Sequence, residues 1–380
     1  MTRPRKILYV TGTRADYGLM ASTLRQIDAH PALDLQVAVT GMHLVPDFGM
    51  TVREVEEDGL PIVARIPTQV ARRSGEHMAI GLGEAVIGLT GAIQEARPDV
   101  VLLIGDRGEM LAGAIAAMHL GIPVVHLHGG ERSGTVDESI RHAITKLSHW
   151  HLVATEESRE RVIRMGERPE HVWVVGAPSL DGLAEQGNEP RAKVLRALEI
   201  DEAKAFVMVL FHPVLQEQLD AGAQTRSLAE AIQRALPLGR DMAVVWLEPN
   251  ADAGSAEILR VLDDLPVRRV KHLPRRLYVS ALRCAEFLIG NSSSGIIEAA
   301  TFGTPVVNVG HRQRARQRNR NIFDCEGDAA SICKAIQQAL KKGRFPPHNF
   351  YGDGLSGERI VGLLAHHPFA EDLLDKVNRY

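Results

Sequence analysis

Three consecutive serines stand between a short apolar run and a predicted helix, in Asn-Ser-Ser-Ser-Gly-Ile-Ile-Glu at positions 291–298. Hydroxyls and a glycine at a helix start place side-chain and backbone donors around the positive end of the helix dipole, which stabilises an anion without a metal. We therefore predict that Ser292 and Ser293 bind a diphosphate and that Glu298 accepts hydrogen bonds from ribose hydroxyls. The alternative is that the serines only cap the helix.

An acidic and a basic residue stand together at the end of another apolar run, in Ile-Gly-Asp-Arg at positions 104–107. Asp106 and Arg107 could form a local ion pair. Neighbours on an extended segment point to opposite sides, however, which makes such a pair awkward. We therefore predict that both side chains have functional roles at the mouth of a cleft.

Two histidines follow the next apolar run, in His-Leu-His-Gly-Gly-Glu at positions 126–131. His126 and His128 share a face of the predicted strand, so a two-histidine metal site must be considered. No third ligand stands at a metal-like spacing, and a histidine with apolar neighbours is more often a hydrogen-bonded core residue. We therefore predict no metal.

The helix predicted next in the chain begins with charged residues beside the same cleft. Thr135 and Glu138 fit a capping box, which gives Glu138 a structural role. Asp137 and Arg141 are one helical turn apart. They either face one site together or pair with each other.

The first apolar run leads into Gly-Thr-Arg-Ala-Asp-Tyr-Gly at positions 12–18. This segment lacks the three-glycine dinucleotide fingerprint and the Lys-Ser/Thr ending of a P-loop, so we expect neither NAD nor an ATP-hydrolysing site. Arg14 presents a fork of donors that suits phosphate oxygens. The alternative is that Arg14 pairs with Asp16 on the loop.

Polar residues also follow apolar runs in the second half of the chain. His212 and Asn250 each come shortly after such a run and are expected to border the same crevice as Ser292. His212 could neutralise a diphosphate or protonate a leaving oxygen, unless it only faces solvent before a proline. The segment 310–320 carries arginines at alternate positions without interleaved aromatic residues, which favours a solvated loop over an anionic ligand rather than an RNA site.

Short apolar runs alternate with longer amphipathic stretches along the whole chain, which is typical of parallel strands connected by helices. The alternation is interrupted by a charged stretch near 185–196 and then resumes. We predict an α/β protein with two Rossmann-like, doubly wound domains facing across a cleft, and a ligand at the carboxyl ends of the strands. The predicted divisions are a first domain at 1–178, a linker at 179–200 and a second domain at 201–358.

Composition narrows the class of protein. The 380 residues carry a net charge of -3 from 44 basic and 47 acidic side chains, which argues against nucleic acid or a membrane surface as the main partner. The three cysteines form no short-spaced pair and suit a reducing compartment. No apolar run reaches the roughly 18 residues of a membrane span, so we expect a cytoplasmic protein.

Six motifs in chain order together resemble the UDP-N-acetylglucosamine 2-epimerase family, and most closely its hydrolysing branch, which feeds sialic-acid-type sugar synthesis. The motifs span roughly residues 7–320 and lie at 12–18, 105–107, 129–130, 137–146, 291–295 and 303–308. The resemblance implies the two-domain glycosyltransferase-B architecture, with a C-terminal helix, here 359–380, crossing back to the first domain.

The resemblance also implies a reaction. A UDP-2-acetamido sugar would lose UDP by elimination to a 2-acetamidoglucal, and water addition would give the free sugar inverted at carbon 2, N-acetylmannosamine, with no cofactor. The implied UDP ligands are Arg14, Ala15, Arg107, His212, Asn250, Ser292, Ser293, Glu298 and Arg312. The implied catalytic residues are Asp106, His128, Glu131, Asp137, Arg141 and His212, and candidates for contacts with the sugar are Asp16 and His43.

One departure from the family pattern concerns the acid–base residues. Many members have a glutamate two residues after the histidine that ends the strand, where this chain has His128. Either the carboxylate has moved to Glu131, or His128 acts in its place.

The substrate and the assembly are further expectations. We expect UDP-N-acetylglucosamine as substrate, with UDP-N,N'-diacetylbacillosamine, on a legionaminic acid route, as the alternative. A non-hydrolysing epimerase, a glycosyltransferase of the same fold and a non-catalytic UDP-sugar sensor remain open. We expect a homo-oligomer, either a dimer or a tetramer.

Overall fold

The first half of the chain forms a seven-stranded parallel sheet. The computed structural model describes residues 3–69, 74–236, 242–370 and 372–379. The strands are β1 (Arg5–Thr11), β2 (Leu33–Thr40), β3 (Ile62–Ile66), β4 (Val100–Ile104), β5 (Val124–Leu127), β6 (Trp150–Val153) and β7 (Val172–Val174). Their order in the sheet is β3-β2-β1-β4-β5-β6-β7.

The second half repeats this plan with a six-stranded parallel sheet. Its strands are β8 (Ala205–Leu210), β9 (Met242–Leu247), β10 (Arg268–Val270), β11 (Leu288–Gly290), β12 (Val306–Val309) and β13 (Ile322–Cys325). Their order is β10-β9-β8-β11-β12-β13. The predicted fold class, two doubly wound α/β domains, is confirmed, whereas the exact domain boundaries stay predictions.

Helices cover both sheets. In the first half they are α1 (Arg14–Asp28), α2 (Val52–Glu57), α3 (Gly75–Ala96), α4 (Gly108–His119), α5 (Val136–Leu147) and α6 (Glu156–Arg164). Then follow α7 (Leu183–Gln186), α8 (Arg191–Ala197), α9 (Ala221–Ala235), α10 (Ser255–Asp263), α11 (Arg275–Cys284), α12 (Ser293–Ile297), α13 (Ala329–Lys342) and α14 (Ser356–His366). No helix in the described ranges has the length and apolar character needed to cross a membrane.

The strand order reverses once in each sheet. In the first sheet, β1 pairs with β2 on one side and with β4 on the other; in the second, β8 lies between β9 and β11. Ligands of such sheets bind in the crevice outside the carboxyl ends of the strands at this reversal. The segments that leave β1, β4, β8 and β11 are therefore the ones that position a site.

The last part of the chain returns to the first sheet. Helix α14 contributes Ile360, Val361 and Leu364 to the same buried cluster as Leu24 of α1. The carboxylate of Asp181 accepts hydrogen bonds from the first backbone amides of α14, which fixes the start of that helix.

A buried charge cluster then attaches the C-terminal segment to the end of α5. Lys376 donates hydrogen bonds to the carbonyl oxygens of Lys146 (2.8 Å) and Ser148 (2.5 Å), and its ammonium lies 2.8 Å from the carboxylate of Glu167. His151 donates to the same carboxylate at 2.9 Å. Burial acts to raise the pKa of Glu167, but the hydrogen bond and charge of His151 and the two lysines outweigh burial and lower that pKa to about 2.

Candidate functional site

The two sheets face each other across a cleft, and Arg14 connects its two sides. Arg14 lies in the first turn of α1, and its guanidinium donates to the carbonyl oxygen of Lys271 at 2.8 Å and lies 2.9 Å from the ring Nδ1 of His272. Arg14 therefore pairs with the second domain, and the alternative of a local pair with Asp16 does not occur. The neighbouring Ala15 is exposed on the same turn.

Arg107 is a second guanidinium at the carboxyl ends of the strands, directly after β4. Its Nε donates to the Glu109 carboxylate at 3.3 Å, and its Nη2 lies 3.6 Å from the Asp252 carboxylate of the second domain. Burial acts to lower the pKa of Arg107, but Glu109, Asp252, Asp16 and Asp137 outweigh burial, and the pKa lies above its ordinary value. Arg107 therefore stays charged.

Arg312 brings a third guanidinium to the cleft, from the loop after β12. Its Nη1 donates to the carbonyl oxygen of Asn291 at 3.1 Å, and its Nη2 lies 3.7 Å from the carboxylate of Asp137. Because Asp137 belongs to α5 of the first domain, Arg312 also spans the cleft.

His212 lies among these three guanidinium groups. Its backbone is held by the Asn291 side chain, through two hydrogen bonds of 2.8 Å. The ring Nδ1 is buried and has no hydrogen-bond partner among the residues that the structure describes.

The charges around His212 keep its ring neutral. Burial first, and then the positive charges of Arg312, Arg14 and Arg107 against the opposing Asp252, lower the pKa of His212 to about 3. An unpartnered imidazole nitrogen among three cations is a favourable environment for an anion, because the anion would both pair with the guanidinium groups and favour imidazole protonation.

The serine segment has a more structural role than its sequence suggested. Ser292 is the N-cap of α12, and its hydroxyl accepts from the amide of Ser294 at 3.4 Å, as the capping alternative predicted. Glu298 is buried and accepts from both terminal nitrogens of Arg275, at 2.6 and 3.2 Å, and from the Ser294 hydroxyl at 2.7 Å. Its carboxylate is thus occupied within the protein, and the predicted ribose contact gains no support. Ser293 is partly exposed on the first turn of α12.

Asn250 forms a tight local turn. Its side-chain nitrogen donates to the carboxylate of Asp252 at 2.5 Å, and its side-chain oxygen lies 3.3 Å from the Asp252 amide. Asn250 therefore orients the carboxylate that lies near Arg107. The sequence reading missed Asp252 because an acidic residue in a polar loop gives no signal of its own.

Asp106 and Arg141 form a pair at the first-domain side of the cleft. The Arg141 guanidinium contacts the Asp106 carboxylate and donates to the carbonyl oxygen of Glu131 at 2.9 Å. The two alternatives, a pair of Asp106 with Arg107 and a pair of Asp137 with Arg141, are not found: Asp106 contacts Arg141, and Asp137 lies near Arg312. Burial first, and then Arg312, lower the pKa of Arg141 to about 9.

His126 and His128 do not share one strand face, because β5 ends at Leu127 and His128 has a left-handed backbone with φ 60°. His126 is a core residue, with ring nitrogens 3.2 Å from the Thr145 hydroxyl and 2.8 Å from the Gly105 carbonyl oxygen. His128 instead contacts the Glu131 carboxylate through Nδ1. Within the described ranges, no group of three or more His, Cys, Asp or Glu residues could hold a metal.

The predicted capping box at the start of α5 is wrong. The Glu138 carboxylate accepts from the amides of Ser133 and Gly134, both at 2.7 Å, rather than from that of the N-cap residue Thr135. The hydroxyl of Thr135 makes no capping hydrogen bond. Glu138 therefore orders the loop before α5, which still leaves it a structural role.

Asp16 and His43, the candidates for sugar contacts, lie inside the first domain. Asp16 forms a capping box with Thr13, whose backbone amide donates to the Asp16 carboxylate at 2.8 Å. His43 is fully buried, with ring nitrogens 2.9 Å from the Thr11 hydroxyl and 2.8 Å from the Thr51 hydroxyl. These contacts occupy both side chains, so their prediction as sugar ligands gains no support.

Comparison with known proteins gives the lineage of the chain. The family model described as UDP-N-acetylglucosamine 2-epimerase matches residues 25–365. A UDP-N,N'-diacetylbacillosamine 2-epimerase (hydrolyzing) of Legionella pneumophila is 45% identical over 99% of this chain and 100% of its own. A UDP-N-acetylglucosamine 2-epimerase of Neisseria meningitidis is 34% identical over 95% of both chains.

Solved structures show the same fold at much lower identity. A UDP-GlcNAc 2-epimerase from Neisseria meningitidis bound to UDP-GlcNAc has a TM-score of 0.79 at 18% identity, covering 94% of this chain and 99% of its own. A UDP-GlcNAc 2-epimerase from Methanocaldococcus jannaschii in complex with UDP-GlcNAc and UDP has a TM-score of 0.80 at 19% identity, covering 95% and 99%. The chain belongs to the UDP-N-acetylglucosamine 2-epimerase family.

Proposed function

We propose that this protein is a hydrolysing UDP-sugar 2-epimerase, which converts a UDP-2-acetamido sugar and water into UDP and the free sugar inverted at carbon 2. The observation that carries the proposal is the convergence of Arg14, Arg107 and Arg312 around His212, whose ring Nδ1 has no hydrogen-bond partner among the described residues. This cluster lies at the ends of strands from both sheets, where doubly wound folds bind ligands.

The first requirement of the reaction is stabilisation of the leaving diphosphate. As the bond between carbon 1 and its oxygen breaks, the electron pair moves onto the β-phosphate of UDP. Guanidinium groups placed in advance stabilise this developing charge more than they stabilise the bound substrate, and so they accelerate the step. In this proposal Arg107 and Arg312 pair with the diphosphate, and His212 supplies a further donor once the anion has raised its pKa.

The second requirement is proton transfer at carbon 2. The proton there becomes acidic only as the bond at carbon 1 breaks, and its removal gives the 2-acetamidoglucal. The hydroxyl of water then adds to carbon 1, and carbon 2 receives a proton on the face opposite to the one that lost its proton. Removal and return on different faces need two acid–base groups. The pairs Asp106–Arg141 and His128–Glu131 supply such groups on adjacent strand ends, and the Asp137 carboxylate lies 3.7 Å from Arg312.

We propose UDP-N,N'-diacetylbacillosamine as the substrate and UDP-N-acetylglucosamine as the second candidate. This order is supported by sequence identity. The chain is 45% identical to a relative named for UDP-N,N'-diacetylbacillosamine, over nearly the full length of both chains, and 34% identical to one named for UDP-N-acetylglucosamine. The proposal therefore favours the substrate that the sequence alone placed second.

The test compares the two sugars directly. Purified protein is incubated with each UDP-sugar without added metal or NAD, and the products are followed by ¹H and ³¹P NMR. We expect UDP and a free, C2-inverted sugar, with a higher kcat/KM for UDP-N,N'-diacetylbacillosamine. A higher kcat/KM for UDP-N-acetylglucosamine would reverse the substrate order, and an epimerised UDP-sugar would indicate the non-hydrolysing reaction. No turnover of either UDP-sugar would refute the proposed enzymatic activity.

We further propose a cytoplasmic homo-oligomer. Support for a reducing compartment is that Cys284, Cys325 and Cys333 are all unpaired. Support for self-association is the exposed apolar surface of α3, where Ile80 and Ile87 are 40% and 76% exposed. Light scattering coupled to size-exclusion chromatography, together with cell fractionation, tests both statements.

A further inference from the structure

Arg316 makes a buried ion pair across the cleft. It belongs to the loop after β12 of the second domain, and its side chain is 8% exposed. The guanidinium contacts the carboxylate of Glu131, which belongs to the first domain and is 3% exposed. Arg314 of the same loop is instead exposed, and its guanidinium lies 3.2 Å from the ring of His311. Burial of two charges carries a large desolvation cost before pairing, so such a pair needs a reason beyond stability.

Glu131 contacts His128 as well as Arg316. One carboxylate oxygen faces the guanidinium, and the other contacts Nδ1 of His128. A carboxylate only accepts hydrogen bonds, so a neutral imidazole at this position carries its proton on Nδ1 and leaves Nε2 as an acceptor. Nε2 of His128 is buried and has no hydrogen-bond partner in the described part of the chain.

The backbone of His128 is also unusual. Its φ of 60° is a left-handed conformation, which strains the backbone of a residue other than glycine. Such strain persists where the surroundings hold it in place, and it is concentrated at functional sites. The His128–Glu131 pair lies near Asp106, because the Arg141 guanidinium contacts both the Asp106 carboxylate and the backbone carbonyl oxygen of Glu131.

From this arrangement we infer that Arg316 is a positioning residue, which reaches across the cleft to hold Glu131 and thereby orients His128 for proton transfer at the sugar. The inference rests on the proposed function. In the elimination step, Nε2 of His128 takes the proton from carbon 2, the electron pair of that bond forms the double bond to carbon 1, and the electron pair of the bond to oxygen leaves with UDP.

The charge of Arg316 acts on this pair directly. Burial first, and then the positive charge of Arg316, lower the pKa of His128 to about 3. The other titratable or charged groups near the pair are His126 of β5, Arg141 from α5 with its partner Asp106, Arg161 from α6, and Tyr351 and Arg318 beside Arg316. Removing the guanidinium charge should therefore raise the pKa of His128 and extend the protonated, inactive form to higher pH.

The experiment compares Arg316→Gln and Arg316→Lys with the matched control Arg314→Gln. Steady-state kinetics are measured between pH 3 and pH 9, a range that includes the pKa of His128 at about 3, and UDP affinity is measured by calorimetry. For Arg316→Gln we expect kcat to fall by roughly 100-fold, the acidic limb of the profile to move to higher pH, and the Kd for UDP to change less than threefold. Arg316→Lys should restore part of kcat and return the acidic limb toward its original pH, and Arg314→Gln should match the unmodified protein.

Two results would overturn the inference. A uniform loss of activity with an unchanged pH profile would make Arg316 merely structural, and a rise in Kd as large as the fall in kcat would make it a nucleotide ligand. Histidine ¹⁵N NMR provides a readout that needs no turnover, since Arg316→Gln should raise the pKa of His128. Inactivity of the unmodified protein on both UDP-sugars would refute the proposed function. Independently of activity, an unchanged pKa of His128 in Arg316→Gln would refute the positioning role.

Discussion

Replacing Arg312 by glutamine should weaken UDP binding without unfolding the protein. The guanidinium donates to one backbone oxygen, that of Asn291 at 3.1 Å, and lies 3.7 Å from Asp137, so its remaining donors are available to a diphosphate. A hydrogen bond to a charged group contributes roughly 1.5–3 kcal/mol. Since about 1.4 kcal/mol corresponds to a tenfold change in affinity, we expect the Kd for UDP to rise by roughly 10- to 100-fold.

Arg314 provides the matched control for this variant. It lies two positions away on the same loop, is exposed, and is 3.2 Å from the ring of His311 rather than near the cleft. Arg314→Gln removes the same formal charge, so it controls for the general effect of net charge on an anion, which falls off over roughly 10 Å at 0.1 M ionic strength.

The assay is isothermal titration of UDP into each variant at fixed pH and salt, after circular dichroism and denaturant unfolding have established equal folding. Arg312→Lys should lose less affinity than Arg312→Gln, because the ammonium keeps the charge but not the bidentate geometry. Equal Kd values for Arg312→Gln and Arg314→Gln would refute the placement of the diphosphate at Arg312.

Three further predictions concern His212, Asp106 and Glu167. UDP binding should raise the pKa of His212 from about 3, so that the protein takes up protons on binding and its affinity for UDP falls as pH rises through the bound-state pKa. Calorimetric titrations in two buffers of different ionisation enthalpy should therefore give different apparent binding enthalpies. Identical enthalpies in the two buffers would contradict this prediction. Asp106→Asn should lower kcat by roughly 100-fold or more while changing the Kd for UDP less than threefold; equal losses in both would make Asp106 a nucleotide ligand. The pKa of Glu167 is lowered from 4.5 to about 2, so its contribution of about 3 kcal/mol to the free energy of unfolding is present above pH 4.5 and is lost as pH falls toward 2. In urea unfolding, Glu167→Gln should therefore lose less stability over this pH range than the unmodified protein. An equal loss in both proteins would contradict the prediction.

The strands were predictable where both faces of the sheet are covered. Strands such as β4 are buried at every position and read as continuous apolar runs. The edge strands β3 and β13 give a weaker signal, because they carry Arg65 and Asp324 among their apolar residues. Their partly exposed positions weaken the apolar signal on which the prediction depended.

The site was predictable where topology alone brings residues together. Residues that follow neighbouring parallel strands must meet at one edge, which is why Asp106, Arg107 and Glu131 could be placed beside one cleft. Their partners could not be predicted, because Arg107 meets Asp252 and Glu131 meets Arg316 only through the contact of two domains far apart in sequence.

One misreading concerns a local signal. Thr13 and Asp16 have the three-residue spacing of a capping box, and the structure forms that box. The spacing was sufficient to assign Asp16 to the start of α1 rather than to the sugar. The opposite holds for Thr135 and Glu138, where the same spacing is present but the preceding loop takes the carboxylate.

The most direct test of the reaction follows two isotopes in one turnover. The UDP-sugar carries ¹⁸O in the oxygen between carbon 1 and the β-phosphate, and the reaction runs in D₂O. Elimination predicts that ³¹P NMR finds the ¹⁸O on the β-phosphate of the released UDP, and that the inverted sugar carries deuterium at carbon 2. An ¹⁸O label retained by the sugar, or a hydrogen retained at carbon 2, would contradict the account.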